Sequence, residues 1–550
     1  MGVEGLTAIV EPAVKKVNLF RYRNSTIVVD TNNIVSSLLS LSDVELRNYF
    51  TFLNIVASKS ALKFIFVFDG THHSDKIKEV IRRRNDGTKK ACKFFSEPNQ
   101  YKIKRGKLLN FERFLMCILK SLNFQCVRAV YEADPLVASL ARTHGATFIM
   151  SSDSDFYLSD VPYVIKADEF CHLIKWKAKK GRLDNIRSLY VDCVDTKMVD
   201  NYCLQFNRDF YPIFSALAGN DYTKSFAPLF THKIEIFTDN TLKTDIRDIV
   251  KFLRTFKRLN QLVEYIHKQS KEKDEKFFQA IEMTRMVAEP SSEIEKETAQ
   301  LEMDHLAYQT CAKYFGNTIE LLNPDNIAFS EIHCDPKRKP LYLVEQPIRA
   351  IIFGFNTEEI VTENEATGDV YGTVKTTPTR LMKYTDFIKK SSPERIDIVL
   401  KGIFGTNEAI FKLWNNVPCD DVWKAMVVTL FAWLKKNSDF SEREIQLGFH
   451  TAAQLILDPT KRKMYSIKKD QRSATHVFTA YNIVSYDFLE LFIDYCDVPS
   501  FNVEKIHIEP AAFIQYYSDV PFTENEFDQL VKSQDIYKSF AETVLKNNFD

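Results

Sequence analysis

Two short apolar runs, Ser25 to Asp30 (STIVVD) and Lys63 to Asp69 (KFIFVFD), constrain what this chain can fold into more than any other feature. Both are rich in β-branched and aromatic residues, lack polar alternation, and close on an aspartate. Unbroken apolar strands belong to parallel sheets covered on both faces. Between them, Leu41 to Ser58 repeats apolar residues at intervals of three and four, the spacing of a helix. The alternation continues with an amphipathic stretch from Leu108 to Leu122, a helix from about Asp134 to Thr143 stopped by Gly145, and a strand from Ala146 to Ser151. A further apolar run, Tyr163 to Ile165, follows Pro162. The pattern predicts an α/β fold: a mostly parallel sheet with flanking helices.

Beyond about Lys224 the texture changes. No glycine occurs between Gly219 and Gly316, and Lys243 to Met286 has helical spacing. Leu381 to Asp550 also reads as mainly helical, for example at Asp421 to Lys435 and Tyr486 to Tyr495. Ala288 to Ala299, Cys334 to Pro340 (CDPKRKP) and Thr362 to Thr379 lack apolar periodicity and are expected to be linkers or loops. The expected organisation is an α/β domain over residues 1–224 with a basic arch at 71–110, a helical extension over 225–333, and a mainly α-helical C-terminal region over 341–550.

Loops at the carboxyl ends of parallel strands converge on the crevice where strand order reverses, so function is expected there. Asp30 and Asp69 end two strands, and Asp153 and Asp155 follow a third in SSDSD. Glu132 and Asp134 open the helix leading into that third strand, and Asp221 follows ALAGN at a helix end. Any one acid-x-acid pair is common in a chain with 73 Asp and Glu. Acids placed serially where apolar elements end are not, although capping explains Asp134 and Asp221 equally well one at a time. Clustered carboxylates repel by roughly 4 kcal/mol per pair at about 4 Å and an effective dielectric of 20, and so call for a cation. All-oxygen ligation favours Mg²⁺ or Mn²⁺, and a shared carboxylate site suits two such ions, a pair that activates water and steadies the leaving oxygen in phosphodiester hydrolysis. An aspartyl phosphatase would use Asp30 with a second Asp two residues on, where this chain has Asn32.

MGVEGL at the start, VVDTNN around Asp30, FVFDG at Asp69, YEADPLVASLA from Tyr131, SSDSD from Ser151 and AGNDYT from Ala218 together resemble the motifs of the XPG/flap endonuclease superfamily. The single joined nuclease region with a long helical tail, including QPIRAIIFGF from Gln346, is most similar to the asteroid family. The resemblance covers residues 1–223 well and the remainder loosely. It implies a PIN-like fold and metal-dependent cleavage of nucleic acid. By that resemblance Asp30, Asp69, Glu132 and Asp134 hold one metal, and Asp153, Asp155 and Asp221 a second. Lys76 and Arg83, at the offsets from Asp69 where the family carries its phosphate-reaching Lys and Arg, take the same role. Gly2 and Gly5 match amino-terminal residues beside the cleft. The chain departs from members that grip duplex DNA: no glycine-rich hairpin follows Asp221, which removes the close backbone approach to phosphate that glycine permits.

Charge places the other half of the expected site. Over the whole chain 73 Lys and Arg balance 73 Asp and Glu, yet Thr71 to Asn110 carries twelve basic residues against four acids. Lys76, Arg82, Arg83, Arg84, Lys89, Lys90 and Lys93 lie in it, with Phe94, Phe95 and Tyr101 interleaved. Basic groups with aromatics suit a single strand, through phosphate contact and base stacking; the competing reading is a solvated loop whose aromatics pack down. Lys175 to Arg182 (KWKAKKGR) and Lys461 to Arg472 are smaller clusters, and PKRKP at Pro336 matches a short nuclear-import signal.

The ten cysteines form no CxxC pair and are expected to be reduced thiols. Apolar runs fall short of the roughly 18 residues that span a bilayer, and the first ten residues lack a secretory signal, placing the protein inside the cell, in the nucleus ahead of the cytoplasm. The expectation is thus a Mg²⁺- or Mn²⁺-dependent endonuclease acting on single-stranded or branched DNA, with RNA as a further candidate and no membrane partner. A scaffold or RNA-regulatory protein that keeps the fold without turnover is the alternative, and a small-molecule phosphatase would have no use for the basic segment.

Overall fold

The computed structural model describes residues 3–38, 41, 43–70, 77–96, 111–129, 132–179, 187–219, 246–270, 327–328, 338–366, 371–418, 421–458, 472–498, 507–508, 510–519 and 523–546. They divide into two compact units, Met1–Glu79 with Ile118–Leu301, and Val80–Cys117 with Glu302–Asp550.

The first unit is built on a seven-stranded sheet. Its strands are β1 (Val14–Asn18), β2 (Thr26–Asp30), β3 (Lys63–Phe68), β4 (Gln125–Arg128), β5 (Phe148–Ser151), β6 (Tyr163–Lys166) and β7 (Tyr190–Asp195), in the order β1-β7-β6-β5-β2-β3-β4. The five strands from β6 to β4 are parallel, and β7 and β1 add an antiparallel edge. The expected mostly parallel sheet is present, and its central strands are the two apolar runs that announce it. Ile27, Val28, Val29 and Phe64 to Phe68 are all buried.

Helices cover both faces. They include α1 (Leu6–Ile9), α2 (Thr31–Leu38), α3 (Asp43–Ser60), α6 (Ala133–Thr143) and α7 (Ala167–Lys179); α4 (Ile77–Ser96) and α5 (Phe111–Ser121) belong largely to the second unit. On one face Val137 and Ala141 of α6 join Phe214 and Leu217 of the helix Tyr211–Ala218, packing with Val28, Ile65, Ile149 and Val164 of the sheet. The other face carries α2, α3 and α7, with Phe50 edge-on to Phe66 at 6.1 Å between ring centroids. Gly145 ends α6 as expected. At φ 54° it takes the left-handed position, while the Gly145 amide donates to the Arg142 carbonyl at 3.1 Å and the Ala146 amide to that of Ala141 at 2.7 Å.

Three strands carry no apolar run. β1 (VKKVN) and β7 (YVDCVD), the antiparallel end of the sheet, are interrupted by polar residues, and β4 is the opposite edge strand with no fully buried residue.

The second unit is mainly helical, as expected, and includes the helices Val422–Asn437, Glu442–Leu457 and Arg472–Leu489. Phe431, Phe449, Tyr481 and Phe540 meet at its centre, with Phe449 stacked on Phe540 at 3.8 Å. One expectation is corrected here. Thr362 to Thr379 is not a loop but contains a hairpin of β9 (Val361–Ala366) and β10 (Tyr371–Thr376), beside the two-residue β8 (Ile327–Ala328). Of the buried residues of β9, Val361 and Glu363, one is charged: Glu363 accepts from Arg349 Nε at 2.8 Å and from the Thr376 hydroxyl. A strand that buries a glutamate shows no apolar period.

Arg338, in the short basic match at Pro336, donates to Glu444 at 2.7 Å and to Asp439 at 3.2 Å, so that residue is occupied within this unit. Ala288 to Ala299 and Lys461 to Asp470 lie outside the described residues.

Candidate metal centre

Strand order reverses between β2 and β5. The chain passes from β2 to β3 and β4 on one side, then crosses to β5 and β6 on the other. This is the switch point of a parallel sheet, where the strand ends open a crevice. Asp30 is the last residue of β2, Asp153 lies two residues past β5, and Asp134 stands in the first turn of α6, the helix that leads into β5. One carboxylate oxygen from each of Asp30, Asp134 and Asp153 lies within 4.8 Å of the other two.

The arrangement is held from below by a small polar framework. The Ser151 hydroxyl donates to Asp30 Oδ2 at 2.9 Å and accepts from the Asp153 amide at 3.1 Å, tying the two strand ends together. The Asn33 amide donates to Asp30 Oδ1 at 3.3 Å, and its side-chain Oδ1 accepts from the Ser152 amide at 3.2 Å. Asn32 Nδ2 donates to Asp69 Oδ2. These supporting residues, Asn32, Asn33, Ser151 and Ser152, sit inside the very motifs VVDTNN and SSDSD, but their positioning role was legible only once β2 and β5 were known to be neighbours.

The other expected ligands are placed as follows. Asp69 closes β3, and its Oδ1 accepts from the Ala133 amide at 2.8 Å, so it caps α6 from across the crevice. Glu132 occupies the N-cap position of α6. Asp155 accepts from the Val3 amide at 2.8 Å, while the Ser154 hydroxyl donates to the Val3 carbonyl at 3.1 Å. The amino-terminal segment is thereby tied to the acid loop. Gly5 follows at φ 77°, where a side chain would also crowd Ile246 at 3.1 Å. Asp221, Lys76 and Gly2 lie outside the described residues. Arg82, Arg83, Arg84 and Lys89 stand on α4. Arg82 pairs with Asp86 at 3.1 Å on an exposed face, and the backbone of Lys90 and Lys93 continues the same helix.

Electrostatics mark Asp30 as costly to ionise. Burial pushes the Asp30 carboxyl up to about 7, aided by the neighbouring charges of Asp69 and Asp153 and opposed by its bonds from Ser151 and Asn33. Nearby Tyr157 is pushed up to about 12, first by burial and then by Asp153, Glu169 and Asp168. A divalent cation fits these residues on two counts: the donors are all oxygens, and a buried carboxylate repelled by its neighbours gains most from one.

Comparison with known proteins agrees in part. No family model matches the chain. It is 26% identical to Exonuclease 1 of Drosophila melanogaster over 282 residues, 48% of this chain and 36% of that protein. It is 27% identical to the Constitutive coactivator of peroxisome proliferator-activated receptor gamma of Homo sapiens over 133 residues, 23% of this chain and 15% of the relative. The chain thus matches well under half the length of either curated relative. Among solved structures, the catalytic core of Rad2 in complex with DNA substrate aligns with a TM-score of 0.33 at 17% identity, covering 52% of this chain and 80% of that one. Human GEN1 in complex with Holliday junction DNA aligns with a TM-score of 0.31 at 16% identity, covering 54% and 66%. The likeness to Exonuclease 1 supports the XPG/flap endonuclease superfamily.

Proposed function

We propose that this protein is a metal-dependent nuclease of the asteroid branch of the XPG/flap endonuclease superfamily, hydrolysing phosphodiester bonds of DNA at single-stranded, overhang or flap sites. The observation that carries this reading is the convergence of Asp30, Asp134 and Asp153 within 4.8 Å at the switch point. Mg²⁺ or Mn²⁺ would be held there, with Asp69, Glu132, Asp155 and Asp221 as the remaining candidate ligands of a two-ion site. When bound, such ions supply a lowered water pKa and stabilisation of the leaving oxygen. The chain's own residues do the rest. Ser151 and Asn33 fix the Asp30 carboxylate, Asp69 fixes the start of α6 and with it Asp134, and Asp155 fixes the amino-terminal segment. Lys76 and Arg83 are the candidates to reach the scissile phosphate, and Arg82, Arg84, Lys89, Lys90 and Lys93 to meet the strand around it. A DNA substrate places the protein in the nucleus, in DNA repair or a related process.

A second reading, a nuclease fold retained as a binding scaffold, draws on the likeness to a human protein named as a coactivator. The two readings separate in one assay. Purified protein is incubated with labelled single-stranded, overhang and flap DNA and matched RNA, in Mg²⁺ or Mn²⁺. The nuclease reading expects metal-dependent products that vanish in the double variant Asp153→Asn, Asp155→Asn. Products that persist unchanged in that variant overturn the metal site, and binding with no cleavage on any substrate establishes the scaffold.

A further inference from the structure

We infer that the exposed face of α7 is a second nucleic-acid contact, a base-stacking platform for a single strand centred on Trp176. The chain has four tryptophans. Trp414, Trp423 and Trp433 are buried at 7%, 8% and 4% exposure, whereas Trp176 is 54% exposed. Exposing an indole on a helix forgoes the burial of a large apolar surface, while Phe170, Cys171 and Ile174 are the buried residues of α7 that turn inward.

The surroundings of Trp176 identify the ligand. Lys177 Nζ lies 5.6 Å from the indole centroid, and Lys175 is tethered to α2 by donation to the Ser37 carbonyl. Along the sequence the segment Lys175 to Arg182 (KWKAKKGR) is basic and carries no acid; of its residues, Lys175 and Lys177 are the basic side chains among the described residues. Lysine is depleted at the centres of protein–protein interfaces, so an aromatic set among lysines fits a phosphate-bearing partner better than a protein. His172, also exposed, stands one helical turn before Trp176, giving two rings in a row along the same face. Successive bases stacked on such rings, with backbone phosphates near the lysines, is the chemistry by which single strands are held without sequence preference.

The platform is connected to the acid centre. The Asp168 amide in the first turn of α7 donates to the Ser152 hydroxyl at 3.2 Å, and Asp168 Oδ1 accepts from the Ser37 hydroxyl at 2.6 Å. Ser152 is the neighbour of Asp153. At about 1.5 Å per residue, Trp176 lies roughly 12 Å along the helix from that junction. A strand on α7 therefore has one end within a few nucleotides of the acids. The inference deepens the nuclease reading by assigning the path of the unpaired strand, but the binding it describes stands without turnover.

The test reads binding in EDTA, so failure of the nuclease reading leaves it intact. The full chain is titrated with fluorescein-labelled oligo-dT and oligo-rU of about twelve nucleotides and with a duplex of the same length, following anisotropy and intrinsic tryptophan emission. Single strands should quench the exposed indole and the duplex should not; the two single-strand arms show whether DNA or RNA is preferred. Trp176→Phe should abolish the quenching yet keep near-native affinity, because the ring is retained. Trp176→Ala should weaken binding about tenfold. Lys177→Glu should weaken it and lower the salt slope by about one. Unchanged affinity in Trp176→Ala, equal quenching by the duplex, or no binding of either single strand overturns the inference. A native circular dichroism spectrum for each variant excludes misfolding as the cause.

Discussion

At the acid edge of the sheet, Asp30 is buried with Asp134 and Asp153 beside it, whereas in the second unit Glu345 and Glu363 are buried around Arg349. Each place buries carboxylate, Asp30 in one and Glu345 with Glu363 in the other, which is costly unless a positive charge accompanies it. The second unit carries its own. Arg349 pairs with Glu345 four residues earlier on the helix Tyr342–Gly354 and with Glu363 of β9. Burial raises the Glu345 carboxyl above its ordinary value, and Arg349 opposes the rise. At the carboxyl end of the sheet, bonds from Ser151 and Asn33 oppose burial and the charges of Asp69 and Asp153, and Asp30 rises to about 7. An acid cluster with a built-in guanidinium is a structural joint; one whose buried member, Asp30, is pushed up by burial and by neighbouring carboxylates suits a cation from outside.

The sharpest way to break this contrast is to remove a ligand from the open cluster. Asp134→Asn or Asp153→Asn should lower cleavage in Mn²⁺ by about a thousandfold or more, beyond the roughly 10- to 100-fold typical of losing a residue that only supports a metal ligand. Manganese binding by calorimetry should weaken in parallel, and thermal stability without metal should hold or rise. The closed cluster should answer in the opposite way. Arg349→Met leaves two buried carboxylates without their cation, and should cost about 3–5 kcal/mol in denaturant unfolding of the second unit, with no recovery on adding Mg²⁺ or Mn²⁺. Recovery by metal would erase the distinction between the two clusters.

How much of this was legible in the sequence follows from what each element buries. β2, β3 and β5 bury apolar side chains on both faces, so STIVVD, KFIFVFD and the run to Ser151 announce themselves, and the acids at their ends come with them. β9 escapes because beside Val361 it buries Glu363, and the partner that makes a buried glutamate tolerable, Arg349, lies fourteen residues away on a helix. β1 and β7 escape because polar residues interrupt them, as Lys15 and Lys16 do in β1 and Asp192 does in β7. In the site, the ligand types were readable from position. The division of labour was not: the family resemblance groups Asp153 with Asp155 and Asp221, whereas the strand order brings Asp153 to Asp30 and Asp134 while Asp155 accepts from Val3. Sequence neighbours on a tight turn diverge, and only the β2–β5 pairing says which of them faces the crevice.

The smallest expected effect is also the most diagnostic, since it separates proton from metal at one carboxyl. Asp30 in the folded protein titrates at about 7 against an ordinary value of 3.8. Between those values the folded protein binds more protons here than the unfolded chain does. The contribution of Asp30 is therefore fully present below about pH 4 and is lost as pH rises through about 7. Metal-free protein should lose on the order of 2 kcal/mol from this source between pH 5 and 8, and Asp30→Asn, which cannot ionise, should flatten that slope. Saturating Mn²⁺ should flatten it in the native sequence as well, because a bound cation removes the cost of the ionised form. In Arg349-centred Glu345 the same pH range should show no metal dependence, the guanidinium being already in place. Unfolding midpoints measured at pH 5, 6, 7 and 8, with EDTA or Mn²⁺, decide the matter: a slope in EDTA that Mn²⁺ leaves untouched means that the Asp30 cluster is proton-linked but holds no metal.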